Sequence, residues 1–312
     1  MKIFSFSVYC FSLFSVCNLF AQGHQQDDPF LVVLGTAQDG GYPHAGCIKE
    51  CCRAYYEGKE GSHYVSSLAI VDPVSGERFL FDCTPDFPAQ LHLLDSITQS
   101  IKMVDGIFLT HAHIGHYTGL MYLGREVMNA KDVKVYAMED MEHFLENNGP
   151  WSLLVQLKNI EMHKLTADST IRLNERITVT PFNVPHRHEF TTAVGYKIVA
   201  GNKSIIFIPD IDKWSSWNQD LSTVVKENDL LFLDGTFYKN GEIPGRNMSE
   251  IPHPFIEETM ALLETLPATE KSKVWFIHMN HTNPALLHDS EARKEIGKKG
   301  FKVARDGLVI KL

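Results

Sequence analysis

The sequence predicts an α/β protein, and three observations support this prediction. Continuous apolar runs, such as residues 30–34 and 274–277, have the length and composition of buried β-strands. Segments with the apolar spacing of a helix, such as residues 87–100 and 291–298, alternate with these runs. Turn residues separate neighbouring runs, as at Gly201-Asn202.

Each predicted strand is a short apolar or alternating run that ends at glycine, proline or a polar residue. The predicted strands are 30–34, 66–71, 78–81, 107–109, 133–137, 171–173, 177–181, 194–199, 204–208, 229–233, 274–277 and 307–312. The predicted helices are 87–100, 118–129, 139–146, 151–157, 255–266 and 291–298. Pro254 suits the first position of a helix, which places His253 at the cap of the fifth helix.

Residues 1–21 have the features of a secretory signal peptide. Lys2 precedes an apolar stretch, and the small residue Ala21 precedes the expected cleavage site. The stretch is also close to the length of a membrane anchor, but its serines and Asn18 disfavour that alternative. We therefore expect an exported protein, periplasmic or secreted, whose residues 22–312 form a single domain without a linker or repeat.

The formal net charge of the chain is -9 at pH 7. A nucleic-acid surface needs an excess of lysine and arginine to neutralise phosphates, so this charge argues against a nucleic-acid partner. After the predicted cleavage site no segment is apolar enough to span a membrane. The expected partner is a small-molecule substrate.

Three histidines, His111, His113 and His116, follow the apolar run 107–109 within six residues. Neutral imidazole is the commonest protein ligand for zinc, at about 2.0–2.1 Å from the metal. The alternative is a polar loop that holds histidines by chance. The close spacing at the end of a strand favours a metal site.

Ligand-type residues follow the predicted strands at several other places. Each one alone is more often a cap or a satisfied polar group, but strand ends are rigid, and convergent side chains there form sites. These residues are Asp82, His111, His186, Asp210, Asp234 and His278. Together they predict one site built from distant segments.

Cysteines beyond residue 21 are clustered at Cys47, Cys51 and Cys52, and the fourth is Cys83. A disulfide from the cluster to Cys83 is one interpretation for an exported protein. A structural zinc site with three thiolates and one distant histidine is the other. The residues alone leave both open.

The sequence resembles the metallo-β-lactamase fold superfamily. The resemblance rests on the motif His111-x-His113-x-Gly115-His116, followed by later histidine and aspartate motifs in the family's order. It is strongest for the branch that contains the PQQ biosynthesis protein PqqB and the phosphodiesterase PhnP, because of residues 34–41, 81–86 and 276–284. The resemblance implies a four-layer αβ/βα sandwich.

The resemblance also implies a set of site residues. One zinc would bind His111, His113 and His186, and a second would bind His116 and His278, with Asp210 bridging the two. Asp82 would support the histidine loop, and Asp234 is a further supporting residue. A PhnP-like structural zinc would bind Cys47, Cys51, Cys52 and His281.

One position departs from the family pattern. Most hydrolases of the family carry a metal-binding aspartate where this chain has Gly115, so weaker binding of the second metal is expected. PqqB-type proteins often lose the first two histidines as well, whereas this chain keeps His111 and His113. The chain therefore looks more like a hydrolase than PqqB does.

These features predict an exported zinc hydrolase that acts through a metal-bound hydroxide on a phosphodiester or related anionic ester. Asp210 would hold the metal and orient the attacking hydroxide. His253 would either protonate the leaving group or bind an anionic substrate, as the resemblance to PhnP suggests. Two alternatives are a PqqB-like oxidoreductase that uses iron, with manganese as another possible metal, and a non-catalytic metal-binding protein.

Overall fold

The computed structural model describes residues 27–312, apart from the side chain of Ser249. The predicted signal peptide, residues 1–21, lies outside the described residues. From residue 27 onwards, no helix has the length and apolar character needed to cross a bilayer.

Two seven-stranded sheets form the centre of the fold. The first sheet has the strand order β14-β1-β2-β3-β4-β5-β6, and the second has the order β13-β12-β11-β10-β9-β8-β7. The strands of the first sheet are β1 (Phe30–Gly35), β2 (Ser67–Asp72), β3 (Glu77–Phe81), β4 (Gly106–Phe108), β5 (Val133–Met138), β6 (Ile160–Leu165) and β14 (Val309–Lys311). Those of the second are β7 (Ile171–Arg172), β8 (Ile177–Val184), β9 (Ala193–Ala200), β10 (Lys203–Ile208), β11 (Leu230–Asp234), β12 (Val274–Ile277) and β13 (Lys302–Val303).

Short helices connect the strands. They are α1 (Glu50–Tyr56), α2 (Phe87–Thr98), α3 (Ile114–Tyr117), α4 (Glu139–Asn147), α5 (Trp151–Gln156), α6 (Leu221–Glu227), α7 (Ile256–Leu262), α8 (Ala268–Lys271) and α9 (Glu291–Lys298). Single turns of 3-10 helix occur at Trp214–Ser216, Met248–Glu250 and Pro284–Leu286, and a longer one at Thr118–Leu123.

The two sheets pack face to face, with helices on their outer faces. Aromatic residues of both sheets fill the space between them, including Phe81 and Phe108 from the first sheet and Tyr196 and Phe207 from the second. A second apolar cluster joins the first sheet to α2, α4 and α5, and a third joins the second sheet to α6, α7 and α9. The predicted four-layer αβ/βα sandwich is confirmed.

Some predicted elements differ from the structure. The helix predicted at 118–129 is wrong, because only Thr118–Leu123 forms a 3-10 helix. The N–H of Gly119 lies in the first turn, where a helix leaves it without an internal partner, and it donates to the carbonyl of Cys83. The helical stretch ends because the backbone is extended at Gly124. Strand β6 was not predicted, because its charged edge-strand sequence lacks an apolar run.

The predicted cap position of His253 is also wrong. Helix α7 begins at Ile256, and its N-cap is Phe255, whose N–H donates to the carboxylate of Glu258 at 2.8 Å. His253 therefore lies two residues before the cap. It belongs to the loop that leads into the helix. Its side chain does not cap the helix and contacts Asp234 instead.

The Tyr196 hydroxyl connects the two sheets directly below the histidine loop. It is buried and donates a hydrogen bond to the carbonyl of Leu109, two residues before His111. Tyr136 packs on the same Phe108 ring as Tyr196, but its hydroxyl makes no hydrogen bond within the described part of the chain. The two tyrosines are therefore a matched pair for measuring this contact.

We expect the Tyr196→Phe variant to lose about 1 kcal/mol of unfolding free energy, because the buried Leu109 carbonyl loses its partner. Urea denaturation measures this loss. The Tyr136→Phe variant is the control and should lose much less. Equal losses in the two variants would show that the hydrogen bond adds nothing beyond ring packing.

Candidate metal centre

The carboxyl ends of parallel strands bring the predicted site residues together. Strands β3, β4 and β5 are parallel in the first sheet, and β10, β11 and β12 are parallel in the second. Parallel strands direct the loops after them to the same edge of a sheet. Asp82, His111, Asp210, Asp234 and His278 all lie at or just past these strand ends. The structure therefore brings the distant sequence motifs to one place.

One group of four side chains can hold a metal ion: His111, His113, His186 and Asp210. The Nδ1 atom of His113 lies 2.8 Å from Nε2 of His111 and 3.3 Å from Nε2 of His186. Oδ2 of Asp210 lies 3.2 Å from Nε2 of His186 and 3.5 Å from Nε2 of His111. A tetrahedron of ligands about 2.0–2.1 Å from zinc has edges of about 3.3 Å, so these donors have the required spacing.

A second group consists of Asp39, His116 and His278. Nε2 of His116 lies 3.2 Å from Nε2 of His278 and 3.3 Å from Oδ1 of Asp39. The same Oδ2 atom of Asp210 lies 4.0 Å from both histidine nitrogens. Asp210 is thus positioned between the two groups.

Each of the five histidines uses its other ring nitrogen to contact an oxygen atom. The pairs are His111 Nδ1 with Thr110 Oγ1 (3.0 Å), His113 Nε2 with Glu189 Oε2 (3.2 Å), His116 Nδ1 with Asp82 Oδ2 (2.7 Å), His186 Nδ1 with Asp212 Oδ1 (3.1 Å) and His278 Nδ1 with Thr236 Oγ1 (3.0 Å). Metal-binding histidines are typically oriented in this way, because the outer contact fixes the tautomer. The pattern supports a metal centre rather than a chance cluster of histidines.

Asp82 and Asp234 support the site from outside the ligand groups. Asp82 is fully buried and accepts hydrogen bonds from the N–H and hydroxyl of Thr110. Asp234 accepts from the N–H groups of Ile211 and Thr236. The backbone of Asp82 has a φ of 68°, a conformation uncommon for residues other than glycine that often occurs at functional sites.

The donor atoms have few partners within the protein. Oδ1 of Asp39 and Oδ1 of Asp210 are buried and accept no hydrogen bond from the described residues. The nearest groups to these oxygens are imidazoles, His253 at 3.2 Å from Oδ1 of Asp210 and His116 at 3.3 Å from Oδ1 of Asp39. Burial lowers the pKa of His116, but Asp82 and Asp39 outweigh this effect and raise it well above its usual value, so the surrounding charge favours a cation. A metal ion that binds His116 would displace the proton from the ring. A buried carboxylate oxygen without a hydrogen bond is costly, and a bound cation would reduce this cost. The site therefore fits a metal ion.

A cleft of about 440 Å³ opens beside the two groups. Its lining includes Arg187, Arg246, Phe237 and His253, and both arginines are exposed at its rim. His253 Nδ1 lies 2.8 Å from Oδ2 of Asp234 and 3.2 Å from Oδ1 of Asp210. No hydrogen bond within residues 27–312 engages Nε2 of His253, so this atom is available to a molecule in the cleft.

The charge state of His253 depends on its two carboxylate neighbours. Burial lowers the pKa of His253, but Asp234 and Asp210 more than offset this and raise it to about 9. In these surroundings the ring carries a proton near neutral pH.

The cysteine cluster forms a separate group with His281. Helix α1, which was not predicted, carries Cys51 and Cys52 on its first turn. The sulfur atoms of Cys47 and Cys51 lie 3.6 Å apart, close to the edge of about 3.8 Å expected for zinc–sulfur bonds of about 2.3 Å. Burial, His44 and Lys49 lower the pKa of His281 to about 4, which keeps the ring neutral and able to bind a metal.

The disulfide interpretation is not supported by the structure. The four cysteines within residues 27–312 are free. Cys83 lies in the apolar cluster behind the first sheet, whereas Cys47 and Cys52 lie in the cluster behind the second sheet. No bond to Cys83 can form across this separation without moving the backbone.

The structure brings all the predicted ligand residues into these groups and adds residues that the sequence analysis missed. The most important is Asp39, which lies in the glycine-rich loop after β1. Asp39 follows the end of β1, so it fits the same pattern of ligand-type residues just past strand ends. Glu189 and Asp212 had no such signal, because their roles depend on contacts with particular histidine nitrogens.

Comparisons with known proteins agree with this architecture. Residues 77–279 match the model of the Beta-lactamase superfamily domain. Coenzyme PQQ synthesis protein B from Methylococcus capsulatus is 26% identical to the chain, over 90% of the chain and 99% of that protein.

Two solved structures share the fold. One is Zn(2+)-bound PqqB from Methylobacterium extorquens, with a TM-score of 0.76 and 23% identity over 91% of this chain and 100% of that one. The other is a diphosphatase from the PhnP family, with a TM-score of 0.63 and 24% identity over 91% of this chain and 97% of that one.

Proposed function

The chain belongs to the metallo-β-lactamase superfamily, and on this basis we propose that it is a zinc-dependent hydrolase of an anionic ester, with phosphodiesters as the substrate class. The observation that carries the proposal is the position of Asp210. Its Oδ2 atom lies within 4.0 Å of the inward nitrogens of His116, His186 and His278, next to a cleft with arginines at its rim.

Two metal ions fit the donor groups. His111, His113 and His186 would hold the first ion, His116 and His278 would hold the second, and Asp210 would contact both. When bound, zinc lowers the pKa of a water ligand and polarises an ester oxygen. The chain's own contribution is to fix the ligand positions through the outer contacts of the five histidines, so that little reorganisation is needed during the reaction.

The cleft supports an anionic substrate. Arg187 and Arg246 line it together with one carboxylate, Glu250, so positive side chains outnumber negative ones there although the chain as a whole has a formal charge of -9. A guanidinium group binds phosphate oxygens with two parallel hydrogen bonds, which orients the substrate as well as attracting it. Phe237 supplies an apolar wall in the same cleft, suited to the organic part of an ester.

His253 is the candidate proton donor. Asp234 holds its Nδ1 atom, which leaves Nε2 for the leaving-group oxygen of a substrate in the cleft. This arrangement resembles the orientation of a general acid by a carboxylate in other hydrolases. Asp210, whose Oδ1 atom lies 3.2 Å from the same Nδ1 atom, would orient the attacking oxygen.

The group of Cys47, Cys51, Cys52 and His281 would hold a structural zinc ion. His281 lies three residues after His278, in the loop that follows β12. A metal bound to these thiolates would therefore anchor the loop that carries His278. Structural zinc sites of this kind contribute directly to folding stability.

A second candidate function is an iron-dependent oxidoreductase. The similarity to Coenzyme PQQ synthesis protein B over 90% of the chain favours it, and histidine and carboxylate ligands with open positions also suit iron(II). Iron-dependent oxygen consumption without ester hydrolysis would support this candidate. Full activity under argon would exclude it.

We expect the His113→Ala variant to bind about one metal ion fewer per chain and to hydrolyse bis(p-nitrophenyl) phosphate on the order of 100-fold more slowly, since metal polarisation supplies several kcal/mol. Elemental analysis and absorbance at the nitrophenolate band measure the two effects. His92→Gln, on the exposed face of α2, is the control. Unchanged turnover in His113→Ala would refute the proposed reaction.

The role of His253 is tested by comparing two substrates whose leaving groups differ in their need for a proton. The His253→Gln variant should lose about 100-fold in kcat for an alkyl phosphodiester, whose leaving group needs a proton, and much less for a nitrophenyl ester. Its metal content should stay at the wild-type value. Equal losses for both substrates would mean that His253 positions the site without donating a proton.

The structural zinc is tested with the Cys51→Ser variant. We expect it to lose about one metal ion per chain and to melt at a lower temperature, because metal binding contributes to folding. The Cys83→Ser variant is the matched control: it perturbs a buried thiol in the other core and should keep all its metal. A full metal content in Cys51→Ser would contradict the assignment.

A further inference from the structure

The space beside Gly115 is filled by Asp39. A Cβ atom built on Gly115 would lie 2.2 Å from Oδ1 and 2.6 Å from Cα of Asp39. Such distances do not occur between real atoms, so no side chain fits at position 115 while Asp39 keeps its place. The carboxylate expected at position 115 by resemblance is missing, but another carboxylate occupies the same volume.

The surroundings of Asp39 are those of a ligand. Its Oδ1 atom is buried, accepts no hydrogen bond from the described residues and lies 3.3 Å from Nε2 of His116. Donor atoms of Asp39, His116 and His278 all lie within 4.8 Å of one another. A buried carboxylate oxygen that faces two imidazoles without a hydrogen bond is stabilised by a cation between them.

Backbone contacts fix Asp39 relative to His278. The N–H of Gln38 donates to the carbonyl of Met279, and the N–H of Met279 donates to the carbonyl of Thr36, both at 2.8 Å. These bonds join the residue before Asp39 to the residue after His278. The position of the carboxylate is therefore set by the pairing of two loops and needs no support from the side chain at position 115.

We propose that Asp39 is the carboxylate ligand of the second metal ion, supplied by the loop after β1 in place of a ligand at position 115. This inference rests on the proposed function, since it concerns one of the two proposed catalytic metal sites. A second consequence is that this protein can hold a carboxylate side chain at position 39 or at position 115 but not at both, because the two would occupy one volume.

Removal of the Asp39 carboxylate tests whether this residue is a ligand of the second metal ion. The Asp39→Ala variant, dialysed against zinc alone, should bind about one ion fewer per chain or bind it at least about tenfold more weakly. Asp86→Asn is the matched control: Asp86 lies near the same loop and accepts the N–H of Val65, but contacts neither His116 nor His278. A full zinc content and unchanged affinity in Asp39→Ala would overturn the inference.

Moving the carboxylate from position 39 to position 115 tests whether the two positions exclude each other. Gly115→Asp alone should lose zinc or stability because of the clash, whereas the double variant Asp39→Gly with Gly115→Asp should regain the second ion. Circular dichroism checks that the double variant is folded. A folded double variant that lacks the second ion would overturn the exchange of ligands.

The same experiments separate this inference from the proposed function. Wild-type protein that binds both catalytic ions but hydrolyses no ester would refute the proposed reaction and leave the role of Asp39 intact. An Asp39→Ala variant with all its zinc and undiminished hydrolysis would overturn the role of Asp39 alone.

Discussion

The rest of the site depends on one buried carboxylate. The Oδ2 atom of Asp210 lies 3.2–4.0 Å from the inward nitrogens of five histidines, and the residue is only 4% exposed. An ionised group in this position is expensive unless positive charge surrounds it. Burial raises the pKa of Asp210, but the histidines around it outweigh this effect and hold the pKa well below its usual value. The carboxylate therefore depends on the positive charge that protonated imidazoles or a bound metal ion would supply. The rigid strand end that carries Asp210 makes this arrangement possible.

The two sheets hold the strand ends in fixed positions, and the loops after the strands carry the different donor residues. Parallel strands of both sheets end at the same region, so ligands from distant motifs meet there without long flexible connections. A metal ion in this site would require an oxygen or nitrogen atom at a particular point in space, whichever loop supplies it. Asp39 occupies the space that a side chain at position 115 would fill, which is why we propose it as the substitute ligand.

The outer contacts explain how a cluster of histidines becomes an ordered set of ligands. Asp82 holds His116 at 2.7 Å, and Asp234 holds His253 at 2.8 Å, so two fully buried aspartates orient two rings with different tasks. The His116 ring faces the second group of donor atoms, and the His253 ring faces the cleft. The cysteine group adds a constraint from outside the active site, because His281 and His278 belong to one loop.

The sequence by itself determined the fold class and the candidate ligands of the histidine motif and the later motifs, which the structure brings together. These depend on local signals: apolar runs, spacing within a motif and the residue that follows a strand. The grouping of the three cysteines with His281 came from the family resemblance and not from such signals. The helix predicted at residues 118–129 is wrong, because the extended backbone of Gly124 ends a short 3-10 helix there. The prediction of His253 at a helix cap is also wrong, because the cap is Phe255.

Only the tertiary structure showed the position of Asp39 beside His116 and His278, the separation of Cys83 from the other cysteines and the nitrogen that each histidine directs inward. Each of these depends on which atoms of distant loops share a volume, and spacing along the chain carries no information about that. Gly115 shows the reason most clearly. The sequence records only a missing side chain, whereas the packed structure shows that another residue's carboxylate has taken its space.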